Sequence, residues 1–275
     1  MFDTFWHKIL RHPYQLARAV DEGHGVPVVL LHGIGRSGRV WQYVVGELAS
    51  RGQSFRVVAF DLLGFGNSPS PDWAAYSVDD HARAVIASIE KLRLKQPVLL
   101  VGHSMGSLVA VRVATLRPDL VRHLVLYEMP LHHGLPETLS YRSRLELYTR
   151  LYKWVSKYPL SFNAETAKRT DWLTRRIVGV DVDQDSWLPY VRSLENTIIK
   201  QRTSQDLKRL KVSMDIIYGS FDLLVVRGKE KHLFGTDLPN ATLHTVKAKH
   251  AISKRASRYI ADRLVAALEA PDYGD

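Results

Sequence analysis

Short apolar runs alternate along the chain with longer segments in which apolar residues recur at helical spacing. Six of the runs have the length and β-branched content of strands: Val26–Leu31, Phe55–Phe60, Val98–Val101, Val121–Tyr127, Val212–Tyr218 and Ala241–Val246. The stretch Tyr14–Val20 alternates like a half-exposed strand, and Asp21–Gly25 is predicted to be the turn that ends it. Continuous apolar runs are typical of strands buried on both faces of a parallel sheet.

Helices are predicted between these strands, over Val40–Ala49, Asp80–Leu92 and Arg255–Leu268, and over the segment between Ser104 and Pro118. The sequence from Ser77 to Asp80 has the pattern of a capping box at the start of the second of these helices. Because strands and helices alternate, we predict an α/β fold with a mostly parallel sheet covered on both faces.

The pattern changes between Pro130 and Leu210, where no buried strand is predicted. Helix-like stretches there carry many aromatic residues: Tyr141, Tyr148, Tyr152, Trp154, Tyr158, Phe162, Trp172, Trp187 and Tyr190. We predict that residues 131–210 form a helical cap inserted into a core made of residues 1–130 and 211–275. The aromatic residues would line a mostly apolar pocket.

Apolar residues also recur at helical spacing at the N-terminus, at Phe2, Phe5, Trp6, Ile9 and Leu10. Two interpretations stay open. The helix packs over the edge of the domain, or residues 1–12 make weak contact with a membrane surface.

Composition narrows the function classes. The 275-residue chain has no cysteine, which excludes disulfides, thiol catalysis and cysteine zinc sites. Its formal charge of +10 is spread along the chain without a nucleic-acid-binding motif, so we expect a solvated basic surface and no nucleic-acid partner. No signal peptide or membrane-spanning run is found, and we expect a cytoplasmic protein. The oligomeric state cannot be inferred.

The candidate chemistry centres on Gly102-His103-Ser104-Met105-Gly106. The motif follows a predicted strand and precedes a predicted helix, which is the context of a nucleophile elbow. In such a turn a serine hydroxyl is lifted above the sheet, and small neighbours are required. Ser104 is therefore the candidate nucleophile.

With four further motifs, the chain resembles the α/β-hydrolase superfamily over nearly its whole length. These are His32-Gly33-Ile34-Gly35, Asp61-Leu62-Leu63-Gly64-Phe65-Gly66-Asn67-Ser68, Gly219-Ser220-Phe221-Asp222 and Lys249-His250. The resemblance implies an eight-stranded sheet flanked by helices, with the cap inserted after the sixth strand. The elbow is of the form common among carboxylesterases and monoacylglycerol-lipase-like enzymes, although Ser107 stands where many lipases have a further glycine.

The resemblance also implies a catalytic triad. His250 occupies the family's histidine position and would act as the general base for Ser104. Asp222 matches the usual position of the acid, which would orient the imidazole. Glu128, after the strand that ends at Tyr127, is its rival, and Asp215 is a weaker third choice because it lies inside a strand pattern.

Backbone N–H groups of Ile34 and Met105 are the expected donors of an oxyanion hole. We interpret His103 as a packed residue behind the elbow and His32 as a residue that orients the oxyanion loop. Asp61 and Ser68 are assigned structural roles.

We therefore predict a serine hydrolase that cleaves a small-molecule carboxylic ester with an apolar acyl or aromatic part. No cofactor and no metal site are expected. Serine at the elbow argues against haloalkane dehalogenases and epoxide hydrolases, which use aspartate there. Carbon–carbon bond hydrolysis, lactone hydrolysis and ligand binding without turnover stay open as alternatives on the same fold.

Overall fold

One seven-stranded sheet forms the centre of the computed structural model, which describes residues 5–10, 12–52, 54–131, 186–222 and 238–269. Its strands, in chain order, are β1 (Arg18–Gly23), β2 (Val26–Leu31), β3 (Phe55–Phe60), β4 (Val98–His103), β5 (Val121–Tyr127), β6 (Ser213–Gly219) and β7 (Ala241–Val246). Their spatial order is β1-β3-β2-β4-β5-β6-β7. Strand β1 pairs antiparallel with β3, and all other neighbours are parallel. The predicted α/β fold with a mostly parallel sheet is confirmed.

The strand predictions differ from the structure in number and at one edge. Seven strands lie within the described residues, so the eight-strand count is not confirmed. Strand β1 begins at Arg18, not Tyr14, and extends to Gly23, into the stretch predicted as a turn. The reason is contact with residues far along the chain: the N–H of Leu16 donates to Ser88 Oγ at 2.8 Å, and that of Ala17 donates to Ser68 Oγ at 2.9 Å. Side chains thus take the backbone groups that a longer strand would have paired.

Helices cover both faces of the sheet. In chain order they are α1 (Gln42–Ala49), α2 (Val78–Lys91), α3 (Met105–Leu116), α4 (Trp187–Ser193), α5 (Thr203–Leu207) and α6 (Lys254–Glu269). A 3₁₀ turn, Gly38–Trp41, precedes α1, and a second, Pro118–Leu120, follows α3. The predicted capping box is present, because Ser77 Oγ accepts the Asp80 N–H while the Asp80 carboxylate accepts the Ser77 N–H at 3.0 Å.

Two apolar cores result, one on each side of the sheet. Helices α2 and α3 pack on one face through residues such as Val85 and Leu108, and α1 and α6 pack on the other through Leu48 and Ile260. The loops at the carboxyl ends of β2, β4 and β6 therefore extend from a sheet that is packed on both faces. No helix within the described ranges is long and apolar enough to cross a membrane.

The predicted cap lies mostly outside the described residues, as do seven of its nine aromatic residues. Its last part is described and packs on the core: Tyr190, Leu194 and Ile198 join the same apolar cluster as α2 and α3. Thr197 Oγ1 donates to the carbonyl of Tyr76 at 2.8 Å. Trp187 stacks on Tyr190 with ring centroids 6.4 Å apart. The division into core and cap stays a prediction.

At the N-terminus the structure forms a short helical turn, Phe5–Ile9, rather than a longer packed helix. Its large apolar side chains are exposed, from 40% at Trp6 to 64% at Ile9. The interpretation that this apolar face packs over the domain edge is therefore wrong for the described residues. The His7 ring, which stacks on Tyr14 at 3.7 Å, joins the turn to the domain. Membrane contact by residues 1–12 stays a prediction.

Candidate active site

Ser104 occupies the sharp turn between β4 and α3. Its backbone is left-handed, with φ 52° and ψ −121°, a conformation that costs a non-glycine residue free energy and is found at functional sites. The N–H of Ser104 donates to the carbonyl of Tyr127 at 2.9 Å, which fixes the turn to the end of β5. The serine side chain is thereby held at the carboxyl edge of the sheet, where ligands bind in open α/β folds.

The two glycines of the motif permit this turn because neighbouring backbone approaches them closely. A Cβ on Gly102 would lie 2.5 Å from the carbonyl oxygen of Gly106, and a Cβ on Gly106 would lie 2.6 Å from that of His32. Ser107 adds a contact that the sequence reasoning missed, since its Oγ donates to the carbonyl of Gly102 at 2.8 Å. The sequence signal for this contact is a hydroxyl side chain in the first turn of the helix that follows the elbow.

The loop after β2 lies against the elbow. A Cβ on Gly33, the residue before Ile34, would be 3.2 Å from Ser104 Cβ. His32 shapes this loop: its Nδ1–H donates to the carbonyl of Gly33 at 2.7 Å, and its Nε2 accepts the N–H of Leu62 at 2.8 Å. Full burial lowers the pKa of His32 to about 4, so the ring is neutral at neutral pH. These contacts fit the predicted orienting role.

Asp61 and Ser68 hold the surrounding loops together. The Asp61 carboxylate accepts the N–H of Gly38 at 2.7 Å and that of Asn67 at 2.8 Å. Ser68 Oγ donates to the carbonyl of Asp61 at 2.5 Å. All of these contacts go to backbone groups, which agrees with the structural role expected for both residues.

His250 and Asp222 are brought together from two loops that follow β6 and β7. His250 Nδ1–H donates to Asp222 Oδ2 at 2.8 Å. The carboxylate side chain is almost fully buried, whereas 23% of the imidazole side chain remains exposed. A buried carboxylate on Nδ1 fixes the tautomer that leaves Nε2 available as a base.

His103 and Tyr127 hold the His250 loop against the sheet. The Nε2–H of His103 donates to the carbonyl of His250 at 2.9 Å, and the hydroxyl of Tyr127 donates to that of Lys249 at 2.7 Å. Burial lowers the pKa of His103 and raises that of Tyr127, so both rings stay neutral. The packed position predicted for His103 is found, whereas the role of Tyr127 was missed because nothing in the sequence indicates which loop it meets.

The two rival acids occupy different places. Asp215 lies inside β6 and bonds to His123 and His244, away from His250. Glu128 is fully buried, and its carboxylate, that of Asp222 and the His250 imidazole each offer an atom within 4.8 Å of the other two. This is the grouping with metal-ligand spacing among the described residues, and two of its members are already hydrogen-bonded to each other.

Comparison with known proteins agrees with the fold. A family model described as "alpha/beta hydrolase fold" matches residues 26–254. The chain is 29% identical over 224 residues to the "Putative carbamate hydrolase RutD" of Pseudomonas syringae, which covers 78% of this chain and 83% of that protein. It is 35% identical over 142 residues to a 2-hydroxymuconate semialdehyde hydrolase of Pseudomonas sp., with 48% of each chain covered.

Among solved structures, the esterase EaEST from Exiguobacterium antarcticum superimposes with a TM-score of 0.69 at 18% identity, covering 94% of this chain and all of that one. At that identity the likeness concerns the fold alone. The match of the family model spans every element that carries the candidate site, from the start of β2 to the first residue of α6. The chain belongs to the α/β-hydrolase family.

Proposed function

We propose that the protein is a serine hydrolase that cleaves carboxylic esters through an acyl-enzyme intermediate. The proposal is supported by two features that follow strands of the same sheet: a serine held in a strained left-handed turn, and an imidazole hydrogen-bonded to a buried carboxylate. Strain of this kind persists where surrounding structure enforces it, as the contacts of Ser104 and Gly102 do here.

In the proposed reaction, Ser104 Oγ attacks the ester carbonyl carbon while His250 Nε2 accepts the hydroxyl proton. Asp222 keeps the imidazole oriented and stabilises the imidazolium. The resulting tetrahedral oxyanion would accept hydrogen bonds from the N–H groups of Ile34 and Met105. Support for these donors is positional: Ile34 follows Gly33 beside the serine, and Met105 is the first residue of α3.

Collapse of the intermediate expels the alkoxide, which takes the proton from His250 and leaves the acyl group on Ser104. Water then attacks the acyl-enzyme with His250 again acting as base, and release of the carboxylic acid restores the serine. In acylation and again in deacylation, His250 accepts one proton and then gives it back. No step requires a cofactor.

An apolar acyl or aromatic part of the substrate is proposed from the aromatic content of residues 131–210. Carbon–carbon bond or lactone hydrolysis on the same residues is the second candidate. It is favoured by the likeness to a relative named for hydrolysis of a muconate semialdehyde, a substrate type that is not an ester. A panel of p-nitrophenyl esters, lactones and vinylogous diketones separates the two, because only the preferred class is turned over with high kcat/KM.

The test of the proposal compares Ser104→Ala with Ser50→Ala, an exposed serine at the end of α1. Loss of the nucleophile should reduce p-nitrophenyl butyrate hydrolysis by about a thousandfold or more, whereas the control keeps wild-type activity. A fluorophosphonate probe should label the wild type and the control but not Ser104→Ala. Equal turnover in both variants would refute the proposed nucleophile, and labelling without turnover would favour a ligand-binding protein.

A further inference from the structure

A dense run of positive charge surrounds the candidate base. The twelve residues from Lys247 to Arg258, here called the basic segment, contain five lysines and arginines and no aspartate or glutamate. All five side chains are exposed: Lys247, Lys249, Lys254, Arg255 and Arg258. His250 lies within this segment, which connects β7 to α6 and includes the start of that helix.

The backbone fixes the first part of the basic segment beside the candidate site. Ala248 is buried, and its carbonyl accepts, at 2.9 Å, the N–H of Phe221, the residue before Asp222. The carbonyl of Lys249 accepts the hydroxyl of Tyr127 at 2.7 Å. The lysines on either side of Ala248 therefore present their charge to solvent from a backbone that is bonded to the Asp222 turn and to the end of β5.

Carboxylates near α6 do not neutralise these lysines. Glu47 lies 3.7 Å from Arg258, and Asp262 lies 2.5 Å from Arg51, so both acids pair with arginines. Among the residues that the structure describes, the three lysines of the basic segment form no ion pair. The end of the segment that carries His250 therefore keeps its positive charge.

A cation on a second loop adds to this charge. Burial is the main cause of the lowered pKa of both His32 and His103, and the charge of Arg36 contributes to it at both rings. Arg36 follows the oxyanion loop, and the His103 ring donates to the carbonyl of His250 at 2.9 Å. Positive charge thus acts on the site from the loop after β2 and from the loop after β7.

We propose that the basic segment selects ester substrates that carry a negatively charged group away from the scissile bond. The inference rests on the proposed serine hydrolase function and specifies the class of its substrate. Clustered charge of one sign beside a site raises the local concentration and the association rate of substrates of the opposite sign. Salt screens this attraction, because the Debye length falls from about 30 Å at 0.01 M to about 8 Å at 0.15 M ionic strength.

Two charged esters, each compared with neutral p-nitrophenyl hexanoate, test the proposal. The first is the p-nitrophenyl monoester of adipic acid, in which a carboxylate replaces the terminal methyl group of the acyl chain. The second carries a carboxylate beside the nitro group of the leaving group. For at least one of them, the wild-type ratio of kcat/KM, charged ester over neutral ester, should fall severalfold between about 0.01 M and about 0.2 M salt.

A lysine variant removes three charges of the basic segment by combining Lys247→Gln, Lys249→Gln and Lys254→Gln. At low salt, its ratio of kcat/KM for the charged over the neutral ester should be about tenfold below that of the wild type. Because the same protein hydrolyses both esters, the neutral ester corrects for any change in the catalytic groups.

A matched control removes the same amount of charge from three exposed lysines that precede β4 or β6. It combines Lys91→Gln, Lys95→Gln and Lys211→Gln. These positions lie toward the amino ends of the strands, whereas the site lies at their carboxyl ends. The control should therefore keep the wild-type ratio.

The outcomes distinguish the two proposals. A wild-type ratio that does not respond to salt for either charged ester, or an equal fall of the ratio in the lysine variant and the control, would overturn the selection of anionic substrates. Equal hydrolysis of p-nitrophenyl hexanoate by the wild type and Ser104→Ala would refute the serine hydrolase function itself. Thermal unfolding identifies variants that do not fold. Should the triple lysine variant be one of them, Lys254→Gln alone should lower the ratio about twofold.

Discussion

At the scale of single residues, Gly102 determines how closely the elbow approaches the helix that follows it. A Cβ there would lie 2.5 Å from both the carbonyl oxygen of Gly106 and Cα of Ser107, which are backbone atoms that cannot move independently. Gly102→Ala should therefore destabilise the fold by about 2 kcal/mol or more and displace Ser104. Urea unfolding measures the first effect, and the rate of fluorophosphonate labelling measures the second.

Gly46 provides the matched control for that substitution. It lies in α1, a Cβ added to it would meet no atom within 4 Å, and its backbone is not left-handed. Gly46→Ala should stabilise the protein by about 0.5–1 kcal/mol, because alanine favours the helix. If Gly102→Ala and Gly46→Ala change the free energy of unfolding by the same amount, close approach of the backbone does not explain the glycine at position 102.

How well a feature of the site could be predicted depends on how far apart its residues lie along the chain. The turn at Ser104 could be predicted because strand, glycines and helix are contiguous. The pairing of Asp222 with His250 could be expected only through the family resemblance. The proximity of Glu128 to Asp222 follows from the parallel register of β5 and β6, in which Tyr127 pairs with Ile217. Nothing local in the sequence specifies that register.

At the scale of elements, charged side chains fasten α5 to α2 and α3. Arg112 Nε lies 2.6 Å from Asp79, and its Nη1 lies 3.2 Å from Asp206, whose side chain is only 5% exposed. Replacing Arg112 by methionine would leave a buried carboxylate without this partner. We expect Arg112→Met to lower the free energy of unfolding by about 3 kcal/mol, as measured by urea titration.

Arg117 at the end of α3 is the comparison. It pairs with Asp119 and Glu90, but its side chain is 37% exposed and its partners more so. Arg117→Met should cost less than about 1 kcal/mol, as exposed ion pairs usually do. An equal loss of unfolding free energy in Arg112→Met and Arg117→Met would show that burial of Asp206 does not cause the larger loss expected for Arg112→Met.

Strands and helices are predicted best where their own residues determine where they begin and end. Strands β2, β3, β5 and β7 begin and end as expected, since each is a short run made mostly of apolar and β-branched residues. The prediction for strand β1 is wrong at its start because Ser68 and Ser88, far along the chain, take its neighbours' backbone groups. The prediction for the N-terminal turn is wrong because helical spacing of apolar residues does not reveal whether a partner surface exists.

At the scale of the whole molecule, three buried histidines make folding sensitive to acid. Burial lowers the pKa of His32 to about 4, that of His81 to about 3, and that of His103 well below its usual value. In the unfolded chain a histidine binds a proton below about pH 6.5. The unfolded state therefore binds protons that the folded state does not bind. The free energy of unfolding falls as the pH decreases from about 6.5 toward about 4.

Asp215 adds a second acid-sensitive contribution at lower pH. Burial alone would raise its pKa, but hydrogen bonds from His123 and His244 outweigh that effect and lower it. A lowered carboxyl pKa stabilises the fold above the unfolded value of about 3.9, and this stabilisation is lost as the pH falls below it. The histidine effect therefore dominates between about pH 6.5 and about pH 4.

His81 isolates one histidine in that range. Its imidazole lies 6.4 Å from the Phe65 ring and 6.1 Å from the Tyr76 ring, centroid to centroid, with Nε2 3.0 Å from Ser193 Oγ, and it is not part of the proposed active site. Each such group changes the free energy of unfolding by about 1.4 kcal/mol per pH unit. His81→Gln, neutral at every pH, should reduce the slope between about pH 6 and about pH 4 by that amount. Urea titrations at several pH values measure it, with about pH 8 as the reference at which the substitution changes stability but not slope. An unchanged slope would mean that His81 is protonated in the folded protein.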